Sequence, residues 1–302
     1  MFAATSNIEL PRLERGGCLY QKLDLPEALS RDEQLKARSP SLLNVLTEIP
    51  RTLLDMGALC LSSPLLASMP RGDGHPVMVL PGFMAGDQST ALLRGYLKQL
   101  GYAPMGWELG RNSGRFEIIH HILIERFLEA VDSCDDKITL IGQSLGGVYA
   151  RELARFFPDK VRQVITLGSP FGVLNGTAAN PLVRRLFEIQ SGLSIEKMRE
   201  AIYEMDPHKT PPVPLTAIYS KGDGVVNWRV CKEAFEDFET DNIEVYGAHC
   251  GMGFNAAIYY IIADRLAQPR NDWKKFERCK LGKSGSALLN GVEPGHESAT
   301  VR

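Results

Sequence analysis

The feature that most restricts the fold of this chain is a regular alternation of short apolar runs and amphipathic segments between residues 75 and 267. Short apolar runs bounded by turn residues are typical of buried strands, whereas apolar residues spaced three and four apart are typical of helices. Strands that alternate with helices predict a parallel sheet with helices on both faces. Functional residues in such sheets follow the carboxyl ends of the strands. We therefore predict an α/β fold whose functional residues lie just after the strands.

The same patterns predict where the elements lie. The predicted strands cover 75–80, 103–109, 137–142, 161–167, 214–220 and 242–247. The predicted helices cover 89–100, 116–133, 145–157 and 256–267. The first of them has Ser89 as its predicted N-cap. The long connection between Leu167 and Pro214 holds two more amphipathic segments, 181–190 and 195–204. We interpret this connection as a small helical cap over the site, about residues 171–212; a plain crossover is the alternative.

The segments on either side of the predicted catalytic domain, 75–268, are less regular. In the N-terminal segment, 1–74, we expect one helix that packs on the core and is kinked or restarted at Pro50. A membrane-surface helix is the alternative, but it needs a basic polar face, and here Arg51 is opposed by two acids. The C-terminal segment, 269–302, is basic and then Gly/Ser-rich, and we predict that it is disordered. The apolar stripe of the N-terminal helix consists of Leu42, Leu46, Ile49, Leu53, Met56 and Cys60.

Composition excludes several classes of protein. The net charge of −2 argues against nucleic acid as the main partner, because phosphate binding needs a basic face. No run approaches the roughly 18 apolar residues of a membrane-spanning helix, and residues 1–11 do not resemble a signal peptide. We expect a cytoplasmic protein with reduced thiols, since six cysteines are too few for a disulfide scaffold. Cys231 and Cys250 could still pair as a disulfide or remain two buried thiols.

The strongest chemical signal is the sequence GQSLG at 142–146, which joins a predicted strand to a predicted helix. This is the G-x-S-x-G motif in the strand–turn–helix context that presents a serine nucleophile. The turn is so tight that Gly142 and Gly146 must be small. Ser144 then lies at a helix N-terminus, which favours a nearby anion.

A serine hydroxyl needs a base, an orienting acid and donors for the oxyanion. His249 is the one histidine of six that follows a predicted strand and precedes a helix. Asp223 follows the strand before it and is preferred over its rivals, Asp206 and Asp241. The expected oxyanion donors are the backbone N–H groups of Leu145, directly after the serine, and of Phe83, in the loop after the first strand of the domain.

Taken together, these residues resemble the α/β-hydrolase superfamily, and within it the bacterial serine esterase/lipase branch. The order Ser144, Asp223, His249 is the order expected there. Such lipases usually have His-Gly where this chain has Pro81-Gly82, so a side chain that often braces the oxyanion loop is missing. The motifs that carry the resemblance are LPGF at 80–83, GQSLG at 142–146, TLGSP at 166–170 and DGVV at 223–226.

The resemblance implies a mostly parallel sheet flanked by helices, with the cap inserted before the strand that precedes the catalytic aspartate. It also implies a carboxylic-ester substrate, an acyl-enzyme intermediate and no cofactor. We find no calcium-ligand cluster in the sequence. The cap has no basic cluster for an acidic substrate, so we expect an uncharged acyl ester, with Leu186 and Met198 lining its pocket. An acyltransferase with the same triad, or a ligand-binding protein with little catalysis, are the alternatives. The oligomeric state is not predicted.

Overall fold

The computed structural model describes residues 34, 36–172, 178–192, 209–234, 236, 239–270 and 272–277. Within these residues the centre of the fold is a six-stranded, entirely parallel sheet of strand order β2-β1-β3-β4-β5-β6. The predicted α/β class is therefore confirmed. The strands are β1 Pro76–Leu80, β2 Ala103–Gly106, β3 Ile138–Gln143, β4 Val161–Leu167, β5 Leu215–Tyr219 and β6 Thr240–Glu244.

The described helices flank this sheet, and most begin and end within a few residues of their predicted bounds. They are α1 Leu42–Leu46, α2 Glu48–Ala67, α3 Asp87–Leu100, α4 Phe116–Asp132, α5 Leu145–Phe156, α6 Pro181–Ser191 and α7 Ala256–Leu266. Helix α3 begins at Asp87, not after a cap at Ser89. The Asp87 carboxylate accepts hydrogen bonds from the backbone N–H groups of Trp107 and Glu108, both at 3.0 Å, which attaches the start of α3 to the residues that follow β2. The second predicted cap helix, 195–204, lies outside the described residues.

Strands β1 and β5 are buried on both faces, which explains their nearly continuous apolar runs. Successive side chains of a strand point to opposite faces. In β1, Met78 and Leu80 accordingly pack with helices α4 and α5, whereas Val77 and Val79 pack with α2, α3 and α7. The carboxyl ends of β1 and β3 lie side by side, because Leu80 pairs with Gly142.

The N-terminal helical segment is oriented differently from the sequence prediction. Its break lies at Thr47, between α1 and α2. Pro50 falls in the first turn of α2, where its missing N–H has no intrahelical partner to lose. Every residue of the predicted apolar stripe is exposed to solvent, and Leu53, for example, is 63% exposed. Leu59 and Leu66 of α2 contact the core instead.

This reversal has a physical reason. The inward side of α2 near its start carries the charged side chains Glu48, Arg51 and Asp55, which hydrogen-bond to loops at the carboxyl edge of the sheet. Periodicity reports which residues share a face, but not whether that face meets the core or the solvent. Among the described residues, no helix is long and apolar enough to span a bilayer.

The first part of the segment predicted to be disordered, residues 272–277, packs on the domain. The Phe276 N–H donates to the Asp241 carboxylate at 2.6 Å, and the Arg265 guanidinium lies 5.6 Å from the Trp273 ring centroid. These contacts are made by aromatic and backbone groups within the basic run, so charge and composition do not reveal them.

The orientation of α2 gives a direct test. Leu59→Ala should lower the free energy of unfolding by about 2–5 kcal/mol, because it leaves a cavity in the core. Leu53→Ala should change it by no more than about 0.5 kcal/mol, because that side chain meets solvent. Urea denaturation of both variants measures the difference. Equal losses would show that the predicted stripe faces the core after all.

Candidate active site

Ser144 lies on a strained turn between β3 and α5. Its backbone has φ 50° and ψ −123°, a conformation that non-glycine residues rarely adopt. A Cβ atom at Gly146 would overlap Leu80 O and lie 2.6 Å from Pro81 O, and one at Gly142 would overlap the backbone of Gly147. Both motif glycines are therefore required by close backbone approach.

The neighbouring strand holds this turn in place. The Ser144 N–H donates to Leu167 O, the last residue of β4, at 2.8 Å. The side chain is half-buried and lies beside the N-terminus of α5. The turn thus presents the hydroxyl at the carboxyl edge of the sheet.

The predicted acid and base meet at the same edge, after β5 and β6. His249 Nδ1 lies 2.5 Å from Asp223 Oδ2, and both side chains are buried. The other carboxylate oxygen, Asp223 Oδ1, accepts hydrogen bonds from the N–H groups of Val225 and Val226, at 2.7 and 2.8 Å. These bonds fix the carboxylate plane, so that one oxygen is left for the imidazole.

Neither rival aspartate takes this place. Asp241 lies near the start of the edge strand β6, at the opposite end of the strand from His249. Its carboxylate accepts a hydrogen bond from the Phe276 N–H. Asp206 lies outside the described residues. Asp223 is thus the described aspartate that contacts His249.

A cavity of about 340 Å³ joins the predicted nucleophile, base and oxyanion loop. Ser144 and His249 both line it, together with Phe83 and Leu186. Helix α6 is held over the oxyanion loop, since the ring centroids of Phe187 and Phe83 are 5.1 Å apart. Met198, the other predicted pocket residue, lies outside the described residues.

The two predicted oxyanion donors follow adjacent strands, β1 and β3. Leu145 is the first residue of α5, so its N–H has no acceptor within the helix. Phe83 lies in the loop after β1, and no carbonyl of the described residues accepts a hydrogen bond from its N–H. The next residue, Met84, donates to Asn112 O at 2.7 Å. The loop therefore leaves the Phe83 N–H available beside Ser144.

Asn112 is a residue of this site that the sequence analysis missed. It is fully buried, and its Nδ2 donates to Pro81 O at 3.0 Å. Its backbone N–H also donates to Ala85 O at 2.8 Å. Asn112 thus braces both ends of the oxyanion loop, a task that the sequence leaves open because Pro81 replaces the usual histidine. A lone asparagine far along the chain carries no motif that could have revealed it.

Electrostatics make the neutral imidazole of His249 more basic than that of an ordinary histidine. Burial alone would lower the pKa of His249, but the charge and hydrogen bond of Asp223, with a smaller contribution from Glu48, outweigh burial and raise the pKa above the ordinary 6.5. The imidazolium formed when His249 takes a proton is therefore stabilised.

The structure also decides the question of the disulfide. Cys231 and Cys250 are both free. Cys231 is buried, and its thiol faces Asn227 O at 3.7 Å. The loops that carry Asp223 and His249 are joined by the hydrogen bond between these two side chains and not by a disulfide.

The turn at Ser144 and the strands that precede Asp223 and His249 identify the fold. In an α/β-hydrolase the serine stands on a strained turn after a central strand, followed along the chain by the acid and then the histidine. Here Ser144 follows β3, and Asp223 and His249 follow β5 and β6 of the parallel sheet. The chain has the α/β-hydrolase fold. The bacterial esterase/lipase branch of this superfamily stays a prediction.

Comparisons with known proteins add little to this assignment. No protein-family model and no curated protein matches the sequence. Among solved structures, a metagenome-derived lipolytic enzyme is 16% identical, covers 65% of this chain and 93% of its own, and has a TM-score of 0.46. The monoacylglycerol lipase of Paleococcus ferrophilus is 12% identical, covers 65% of this chain and 96% of its own, and has a TM-score of 0.44. Alpha/beta hydrolase domain-containing protein 10 from mouse is 20% identical, covers 64% of this chain and 88% of its own, and has a TM-score of 0.45. Similarity this distant says nothing about substrate.

The paired His249 and Asp223 predict a pH profile. If His249 is the base it must be neutral, so activity should rise as pH increases through its raised pKa, with the acid limb above pH 6.5. Asp223→Asn should move this limb to lower pH, since it removes the charge that raises the pKa. It should also lower kcat by a factor on the order of 10⁴ by misorienting the imidazole. Profiles of rate against pH for the wild type and Asp223→Asn test this. If the acid limb does not move, Asp223 does not set the pKa of the base.

Proposed function

We propose that this chain is a serine hydrolase that cleaves carboxylic esters. The single observation that carries the proposal is the shared cavity: Ser144, on its strained turn, and His249, hydrogen-bonded to Asp223, line the same space. A nucleophile and a base that is itself oriented by an acid form the arrangement that acyl transfer needs.

The contact between His249 and Asp223 supports one route for the proton in this proposed reaction. Because His249 Nδ1 faces Asp223, Nε2 is the nitrogen that accepts the proton of the Ser144 hydroxyl. The oxygen Oγ then attacks the ester carbonyl, and the C–O bond to the alcohol breaks as His249 returns the proton to the leaving oxygen. Water repeats both steps on the acyl-enzyme, so that the products are a free acid and an alcohol.

The oxyanion of each tetrahedral intermediate would be held by the N–H groups of Phe83 and Leu145. Each donor of this kind contributes about 2.7–4 kcal/mol of transition-state stabilisation in a serine hydrolase. The end of β1, together with Asn112, holds the first donor in place before substrate arrives, and the helix start holds the second. Preorganisation of this kind avoids a reorganisation cost during the reaction.

The chemistry of the cavity favours an uncharged acyl group. Among the described residues that line it, none is Asp, Glu, Lys or Arg. An ionic acyl chain would lose its hydration there without gaining a partner. The apolar lining residues are Phe83, Met84, Ala85, Val183, Leu186, Val225 and Phe254. The cytoplasmic location expected from the sequence also stays a prediction.

Loss of the nucleophile is the first test. Ser144→Ala should abolish hydrolysis of p-nitrophenyl esters and labelling by a fluorophosphonate probe, with an unchanged thermal unfolding curve. Retention of more than a few per cent of wild-type turnover in pure protein would refute the assignment. Product analysis with an added alcohol separates hydrolysis from acyl transfer: formation of a new ester without free acid would identify an acyltransferase. Binding of esters without turnover by the wild type would identify a ligand-binding protein.

The substrate class is tested on helix α6, which offers a matched pair of leucines. Leu186 lines the cavity, whereas Leu182, one turn earlier, is 78% exposed and does not line it. Each methylene that fits should add up to about 0.8 kcal/mol of binding. Leu186→Lys should therefore flatten the rise of kcat/KM with acyl length while sparing acetate. Leu182→Lys should leave the series unchanged. An equal loss on acetate and longer esters would mean that Leu186 only supports the fold.

A further inference from the structure

Glu48, at the start of helix α2, contacts the loops of both the predicted acid and the predicted base. Its Oε2 accepts a hydrogen bond from the N–H of Gly224, the residue directly after Asp223, at 3.0 Å. Its Oε1 accepts one from the N–H of Cys250, the residue directly after His249, at 2.8 Å. One carboxylate therefore joins two loops that belong to different strands.

The carboxylate is buried, and this burial has a chemical reason. Glu48 is 7% exposed, and an isolated buried charge is strongly unfavourable. Here each oxygen meets a backbone donor, and charge-assisted bonds of this kind are stronger than neutral ones. Arg51 adds a cation 3.5 Å from Oε2. A Cβ atom at Gly224 would lie 2.7 Å from Oε2, so the close approach depends on glycine at that position.

Neighbouring side chains of α1 and α2 reinforce this attachment. Asn44 Nδ2 donates to Asp223 O at 3.4 Å, and Arg51 Nη1 donates to Gly247 O at 3.4 Å. The Asp55 carboxylate accepts from the Ala248 N–H at 3.3 Å. The polar side of the N-terminal helices thus lies against the two loops of the site, which accounts for the exposure of their apolar side.

We propose that Glu48 is a positioning residue of the hydrolase, which sets the distance and orientation of the Asp223 and His249 loops and supplies a second negative charge behind the base. This inference rests on the proposed function. It assigns the N-terminal helix to the catalytic machinery, although the helix lies outside the strand–helix alternation that forms the domain.

The electrostatic part of the proposal depends on every ionisable group near His249. Asp223 faces it from the loop after β5, and Glu48 faces it from α2. Cys250 lies on the same loop as His249, Cys231 is close to Asp223, and Asp55 bonds to that loop at Ala248. Arg51 partly offsets the charge of Glu48. The Glu48 carboxylate raises the pKa of His249, so removal of its charge should move the acid limb of activity to lower pH.

Two substitutions separate the positional effect from the charge effect. Glu48→Gln removes the charge and replaces one acceptor oxygen by an N–H₂ group that faces a donor. Glu48→Asp keeps the charge but is one methylene too short to reach both loops. Glu233→Gln is the matched control, because Glu233 is also buried and its carboxylate bonds to Arg151 and Thr210, not to Gly224 or Cys250.

The measurement is the second-order rate of fluorophosphonate inactivation of the full chain as a function of pH. This rate requires the serine and its base but no particular ester substrate. Glu48→Gln should lower the plateau rate by up to about 10²-fold, as expected when reacting groups shift by about 1 Å, and should move the acid limb to lower pH. Glu48→Asp should lower the plateau but leave the limb in place. Circular dichroism and thermal unfolding confirm that each variant is folded.

The outcomes are distinct. An unmoved limb in Glu48→Gln, with a plateau no lower than that of Glu233→Gln, would overturn the positioning role and leave α2 as a structural support only. Failure of the wild type to react with the probe would instead overturn the proposed function, and the role of Glu48 with it. A lowered plateau in both Glu48 variants, with a shifted limb in Glu48→Gln alone, supports the proposal.

Discussion

The strained turn at Ser144 is the constraint on which the rest of the site depends. Its positive φ is held by close backbone approach at Gly142 and Gly146 and by the bond from the Ser144 N–H to the end of β4. Because β1 lies directly beside β3, the loop after β1, which holds the predicted oxyanion donor Phe83, lies next to Ser144. The site is therefore a consequence of sheet topology: the loops after β1, β3, β5 and β6 all emerge at one edge.

The loops that carry Phe83, Asp223 and His249 are held in place by hydrogen bonds from polar residues in other parts of the chain. Asn112 braces the oxyanion loop through both of its ends. Glu48 bonds to the loops of Asp223 and His249. These residues supply hydrogen-bond partners to backbone groups whose burial would otherwise be unfavourable. In this protein hydrogen bonds from polar side chains, among them Asn112 and Glu48, supply the bracing, and Cys231 and Cys250 form no disulfide.

Much of the fold and of the candidate site could be predicted from the sequence, for identifiable reasons. Strand β4 has the predicted bounds, Val161–Leu167, because its β-branched and apolar residues are bounded by Pro158 on one side and Gly168 on the other. The meeting of Ser144, Asp223 and His249 at one edge of the sheet could be predicted because each of them follows a strand. The helix N-cap predicted at Ser89 is wrong. Helix α3 begins two residues earlier, at Asp87, whose carboxylate is held by the N–H groups of Trp107 and Glu108. The apolar stripe through Leu53 was found correctly as a face, but it was assigned to the wrong side.

By itself, the sequence determined the strand–helix alternation, the tight turn at Ser144 and the order of the three residues that meet at the sheet edge. Each of these is encoded by residue types close together in the chain, through helical period, strand period and steric limits in turns. Only the tertiary structure decided which side of α2 is buried and which residues brace the site. Glu48 meets partners 176 and 202 residues away. Those partners are backbone N–H groups, which nearly every residue type carries, so the contact leaves no pattern in the sequence.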